Sequence, residues 1–307
     1  MRPISRAWIG PAAALLALLP CSQASAQQAP DCRLRASAML EMQTMPDGRV
    51  TIPVQIEGHD YRLMVDTGGY INTLSPQLVR EQSYEPQRSA GELRGMGKRR
   101  LDHYVTVKDF MIGRAHGKNF KFFVSDYSIL FHDGTLTPQV LAAYDVDLDF
   151  AHGKFNLFSP DHCPGQVAYW TKSGATEVPI QNQALNQVRI PVTIDGKEIM
   201  AMVDTGAPTS FISMRAAKRY LKLDEKDPAL KSRGNIPIYG ITAPVYNFPF
   251  GNLNFGDIKV SHPQIQIVAD KVLDQDELVL GIGILRQLHL YIAYKEKKMY
   301  VTPALAE

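Results

Sequence analysis

Residues 50–69 read VTIPVQIEGHDYRLMVDTGG, and residues 188–207 read VRIPVTIDGKEIMAMVDTGA. Aligned at a constant offset of 138, the two segments agree at 11 of 20 positions, where unrelated sequences agree at roughly one. A period of this size indicates duplicated domains rather than a solenoid. In the first copy Val50, Ile52, Val54 and Ile56 alternate with Thr51, Pro53, Gln55 and Glu57, the period of a half-buried strand. Pro53 marks an edge or unpaired position. Glu57-Gly58 and Asp195-Gly196 supply matching tight turns. The chain then returns through residues 61–65 or 199–203 straight into Asp66-Thr67-Gly68 or Asp204-Thr205-Gly206, so each acid is predicted at the end of a hairpin strand.

The likeness extends outward. Leu74-Ser75-Pro76 offers a capping serine with proline at the first helical position, and Ile212-Ser213 stands in the same register of the second copy. Ile112-Gly113 and Phe255-Gly256 mark corresponding hairpin turns, with β-rich stretches at 120–124 and 265–268. Residues 144–150 align with 288–294, and each is followed by a basic turn and a strand, 154–158 or 298–302. The expected organisation is a signal peptide at 1–26, an N-terminal extension at 27–46, a first lobe at 47–158, a linker at 159–177 and a second lobe at 178–307. Both lobes are all-β, with few short helices. Asp145, Asp147 and Asp149 alternate with Val146, Leu148 and Phe150, which predicts the solvated face of a strand rather than a cation site. Lys98-Arg99-Arg100 reads as an exposed turn.

The 307 residues are 45% hydrophobic and 21% charged, which suits a globular protein of about two domains. Arg2 and Arg6, the apolar run 12–19 and Ala24-Ser25-Ala26 form a secretory signal, and the run is too short to span a bilayer. Pro20 disfavours the competing reading of Cys21 as an acylated lipoprotein cysteine. Removal of the signal leaves a formally neutral chain, so neither nucleic acid nor an anionic membrane is indicated as partner, and no stable membrane insertion is expected. It also leaves Cys32 and Cys163, an even pair that predicts a disulfide in an exported protein. The eight histidines form no metal-ligand motif, no Ser-His nucleophile signature appears, and no metal or cofactor is implied.

Two carboxylates within hydrogen-bonding distance cannot both ionise comfortably, so one proton is shared. Such a pair contains a base that can take a proton from water and an acid that can protonate a carbonyl. Gly68 and Gly206 allow backbone N–H groups close to each carboxylate, and the hydroxyls of Thr67 and Thr205 can tie one loop to its partner.

On Val65-Asp66-Thr67-Gly68-Gly69, Val203-Asp204-Thr205-Gly206-Ala207 and Val279-Leu280-Gly281, the chain resembles the retropepsin-like aspartic proteases, each half being similar to one subunit of the retroviral dimer. The resemblance implies two pseudo-symmetric acid protease lobes with a cleft between them, and Asp66 and Asp204 as the catalytic pair. It also implies substrate flaps, at Gly95, Met96 and Gly97 and at Tyr239 and Gly240. The expectation is an exported aspartic endopeptidase, periplasmic or secreted, acting on a peptide or protein substrate as a monomer, since one chain brings both acids. Gly69 departs from the family's usual Ala or Ser, and Thr137 stands where Gly281 stands in the second lobe, which predicts a distorted first lobe. That departure supports an alternative, a catalytically silent peptide-binding member of the fold. A hydrolase acting on a non-protein amide is a third reading.

Overall fold

The computed structural model describes residues 32–94, 100–125, 132–181, 184–238, 241–270 and 278–305. The signal peptide and Cys21, the flap residues Gly95, Met96, Gly97, Tyr239 and Gly240, and Lys98 and Arg99 all lie outside these residues.

Val50–Ile56 turns back onto His59–Val65, with Thr51 opposite Met64 and Ile56 opposite His59. Both turn residues have positive φ, 50° at Glu57 and 78° at Gly58, as the twist of a two-residue hairpin requires. In the second copy, Arg189–Ile194 pairs with Lys197–Val203 around Asp195 (φ 45°) and Gly196 (φ 78°). The acid of each turn pins the hairpin to another strand. Glu57 Oε1 accepts from Lys108 N at 2.7 Å, and Asp195 Oδ1 accepts from Gly251 N and Asn252 N at 2.9 and 2.8 Å. Pro53 falls between the pairing of residues 50–51 with 43–44 and that of residues 55–56 with 110–111. Its missing N–H therefore interrupts no ladder on that side. Ser75 and Ser213 cap the short helices Pro76–Glu81 and Met214–Ala216 by accepting from Leu78 N and Ala216 N.

Each hairpin belongs to a large mixed sheet, of eight strands in the first half and nine in the second. In each, the strand that ends at the acid pairs in parallel with a short strand farther along, His59–Val65 with Gly134–Leu136 and Lys197–Val203 with Leu278–Leu280. The loop carrying each acid is thereby clamped, with Asp66 N donating to Leu136 O and Asp204 N to Leu280 O, both at 2.9 Å. At these two bonds the lobes are alike, and the distortion expected of the first lobe does not show there.

A third sheet draws strands from both halves. Its order is Ala36–Glu41, Lys154–Phe158, Asp145–Asp149, Leu288–Ala293, Lys298–Pro303, Thr176–Pro179, and its central pair sets Asp147 opposite Tyr291. Here the reading of Asp145, Asp147 and Asp149 as a solvated face is overturned: Asp145 is 1% exposed and Asp147 wholly buried. The alternation itself holds, but residues 159–177 cover the outer side of the strand. Trp170 stacks on His289 with ring centroids 4.2 Å apart, and Tyr169 donates to Asp147 Oδ2 at 2.6 Å. Asp147 also accepts from Asn156 Nδ2 at 2.8 Å and lies 2.6 Å from His289 Nε2, so the buried carboxylate is fully partnered. Asp145 meets His162 Nε2 and the hydroxyl of Tyr291. Cys163, next to His162, forms a disulfide with Cys32, which ties the start of the described chain to this covering segment.

Candidate active site

The two acid loops meet back to back. Thr67 and Thr205 are fully buried, and each hydroxyl crosses to the opposite loop: Thr67 Oγ1 donates to Val203 O and Thr205 Oγ1 to Val65 O, both at 2.7 Å. Each oxygen also accepts from the partner's backbone, Thr205 N to Thr67 Oγ1 and Thr67 N to Thr205 Oγ1, both at 3.1 Å. The four bonds form a closed, nearly symmetric ring. A side amide adds to it, as Gln187 Nε2 donates to Gly68 O.

This ring brings the carboxylates together. Asp66 Oδ1 accepts from Gly68 N at 3.1 Å and Gly69 N at 2.7 Å, and Asp204 Oδ1 accepts from Gly206 N at 2.8 Å. Gly68 and Gly206 are required for a further reason. A Cβ on Gly68 would lie 2.3 Å from Asp204 Cγ, and one on Gly206 would lie 2.5 Å from Asp66 Cγ. Each glycine vacates the space that the opposite acid fills.

Burial pushes both carboxyls above the ordinary carboxylate range. For Asp66 the N–H groups of Gly69 and Gly68, and a hydrogen bond from Asp204, pull the other way, and the guanidinium of Arg49 adds a smaller pull. Asp204 goes well above, because the Asp66 charge and the hydrogen bond it donates to Asp66 both add to burial. Raised together, the two carboxyls hold one proton between them. Such a pair can accept a proton at one oxygen while giving one up at another, in a site closed on its inner side by the threonine ring.

The aspartyl protease family model matches the chain twice, over residues 52–142 and 190–284. The chain belongs to the retropepsin-like aspartyl proteases. Among curated proteins no match was found. In this aspartyl protease both Asp-Thr-Gly loops fall inside the matched regions, one in each.

The two departures from the aspartyl protease pattern lie side by side. In the second lobe Ala207 packs beside Gly281, whose added Cβ would fall 2.4 Å from Thr209 O and 2.7 Å from Ala207 O. In the first lobe a Cβ on Gly69 would lie 2.7 Å from both Thr137 Cγ2 and Asp66 Oδ2. Thr137 is held by Asn72 Oδ1, which accepts from its N–H at 2.8 Å and its hydroxyl at 3.1 Å, and it caps the helix Pro138–Leu141. At the matching place Ser210 Oγ accepts from Gly281 N at 2.9 Å. Asn72 and Ser210 went unnoticed in the sequence, although the offset of 138 that relates the two acids relates them as well. Gln187 was likewise missed; its counterpart at the same offset is Arg49, so nothing in the repeat marks it.

Among the described residues no group of three His, Cys, Asp or Glu side chains is placed to hold a metal ion, and no helix is long and apolar enough to cross a membrane.

Proposed function

We propose that the protein is an exported aspartic endopeptidase in which Asp66 and Asp204 activate one water between them. Asp66, carrying the charge, takes a proton from the water as its oxygen attacks the scissile carbonyl. Asp204 gives its proton to the carbonyl oxygen, which yields a tetrahedral diol; its collapse breaks the C–N bond, with a proton delivered to the leaving amine. The observation that carries this reading is the closed threonine ring that holds two Asp-Thr-Gly carboxyls against one another. The like anchoring of the two acids, Asp66 N to Leu136 O and Asp204 N to Leu280 O, supports a working first lobe over a silent peptide-binding protein. Export is supported by the residue pattern of 1–26 and by the Cys32–Cys163 disulfide, a bond that persists in oxidising compartments. Both acids lie on one chain, which supports a monomeric enzyme.

Digestion of a mixed peptide library, read by mass spectrometry, tests the proposal. Wild-type protein should cleave internal peptide bonds, and Asp66→Asn and Asp204→Asn should each abolish cleavage while retaining the fold, with the double variant scarcely worse. Retained activity in Asp66→Asn alone would refute the shared water. Specific activity should not fall on dilution, and secreted protein should begin near Gln27. A protein that binds peptides and cuts none would establish the silent reading instead.

A further inference from the structure

Resting on the peptidase reading, we infer that the second lobe carries a subsite for an acidic side chain of the substrate, a few residues from the scissile bond. The subsite is built by register. Lys231 on Lys231–Ile238 lies opposite Asn247 on Ile241–Asn247, and Asn247 lies opposite Gln266 on Ile265–Val268. Three neighbouring strands thus place a lysine, an asparagine and a glutamine side by side. Arg233, at the irregularity that interrupts this pairing after Ser232, and Gln264, just before Ile265–Val268, border the same groove. All five line one groove of about 530 Å³, and no carboxylate lines it.

The charge in this groove is uncompensated. Some exposed lysines pair with acids, as Lys154 does with Glu41, Lys295 with Asp161 and Lys298 with Glu177. Lys231 Nζ instead donates to the carbonyl of Pro228 at 3.1 Å, and among the described residues neither it nor Arg233 has a carboxylate partner. Two cations beside three primary amides, all donors, fit a carboxylate that accepts several bonds at once. Asp and Glu side chains of an extended peptide are the ligands of that chemistry.

The groove is within reach of the dyad. Thr209 forms part of its wall and follows Asp204 by five residues in the chain. The Asp204 and Thr209 Cα atoms are therefore at most about 17 Å apart, a span that an extended peptide covers with about five residues.

The test uses C-terminally amidated peptides, so that only side chains offer a carboxylate, randomised over five positions on either side of a cleaved bond. At one of these positions Glu should raise kcat/KM about tenfold over Gln, the scale of a pair of partly exposed ion pairs. The preference should shrink in about 0.5 M sodium chloride, vanish in Lys231→Met/Arg233→Met and turn toward Lys in Lys231→Glu/Arg233→Glu, with preferences elsewhere unchanged. Cleavage that is indifferent to acid, or an acid preference that survives the double variant, overturns the subsite and leaves the peptidase reading standing. If no peptide is cut, the peptidase reading fails and the groove is judged separately. Fluorescence anisotropy with the Asp204→Asn protein then compares an acidic peptide with its amide counterpart; equal binding overturns the subsite, and tighter binding that depends on Lys231 and Arg233 upholds it.

Discussion

The side-chain methyl of Thr137 and Oδ2 of Asp66 each lie 2.7 Å from where a Cβ on residue 69 would sit, so an alanine at 69 crowds both. Gly69→Ala alone should cost about 1–3 kcal/mol by overpacking and lower activity by displacing Asp66, whose carboxyl also borders that space. Thr137→Gly alone should cost about 1–2 kcal/mol through the lost cap and the void. The double variant removes the Thr137 contact, though not that with Asp66, and should be more stable than the sum of the two by about 1 kcal/mol. Urea denaturation of the four proteins checks this, and additivity within about 0.5 kcal/mol would show that the sites are independent.

The raised carboxyl of Asp204 makes a prediction about stability and pH. Its folded pKa lies above the unfolded one, so its contribution is complete below the unfolded value near 3.8 and is lost as pH rises toward the folded value. Asp204→Asn removes this loss while Asn Oδ1 can still accept from Gly206 N. The inactive variant should therefore match wild type in Tm at pH 4 and exceed it at pH 8. Thermal unfolding at the two pH values measures the difference; a variant less stable at pH 8 than at pH 4, relative to wild type, contradicts the assignment of the proton. Activity should be bell-shaped in pH, since the pair needs one proton and fails with none or two.

Thr205→Val should be far more damaging than Thr205→Ser. Valine removes the donor to Val65 O and the acceptor for Thr67 N, leaving both groups buried and unpaired at a cost of about 2–4 kcal/mol. Serine keeps both bonds and should cost about 1 kcal/mol or less. Chemical denaturation distinguishes them, and equal losses would mean that the ring acts through packing alone.

Asp147→Leu should destabilise by about 3 kcal/mol or more, because it strands the donors of Tyr169 and Asn156 and the imidazole of His289. Asp149→Leu, at the half-buried end of the same strand, should cost about 1 kcal/mol. Were these acids a solvated face, both changes would fall within about 0.5 kcal/mol of wild type, and a guanidinium titration separates the cases.

These residues also show what a sequence reveals. Hairpin turns at Glu57-Gly58 and Asp195-Gly196 and caps at Ser75 and Ser213 were legible because their causes lie within three residues. The outward face of Asp147 was not, because its cover comes from Tyr169 and from His289, 142 residues away. Periodicity reports which residues share a face and is silent on what lies against it. Gly68 was read as a residue of backbone freedom, whereas the pressing constraint is the carboxylate of Asp204 in the other lobe. Thr137 looked like damage because its neighbour, Gly69, sits on a different loop.

The sheet made from both halves has a consequence for how the molecule is completed. Asp145–Asp149 has its long-range partner in Leu288–Ala293, so its inner edge stays open until residues 288–293 are available. An N-terminal half made alone would expose that edge, with its buried acids uncovered, to any strand it met. The two lobes are copies in sequence, yet the second closes the first, and a nick between them should yield two fragments that hold together until denatured and refold only in each other's presence.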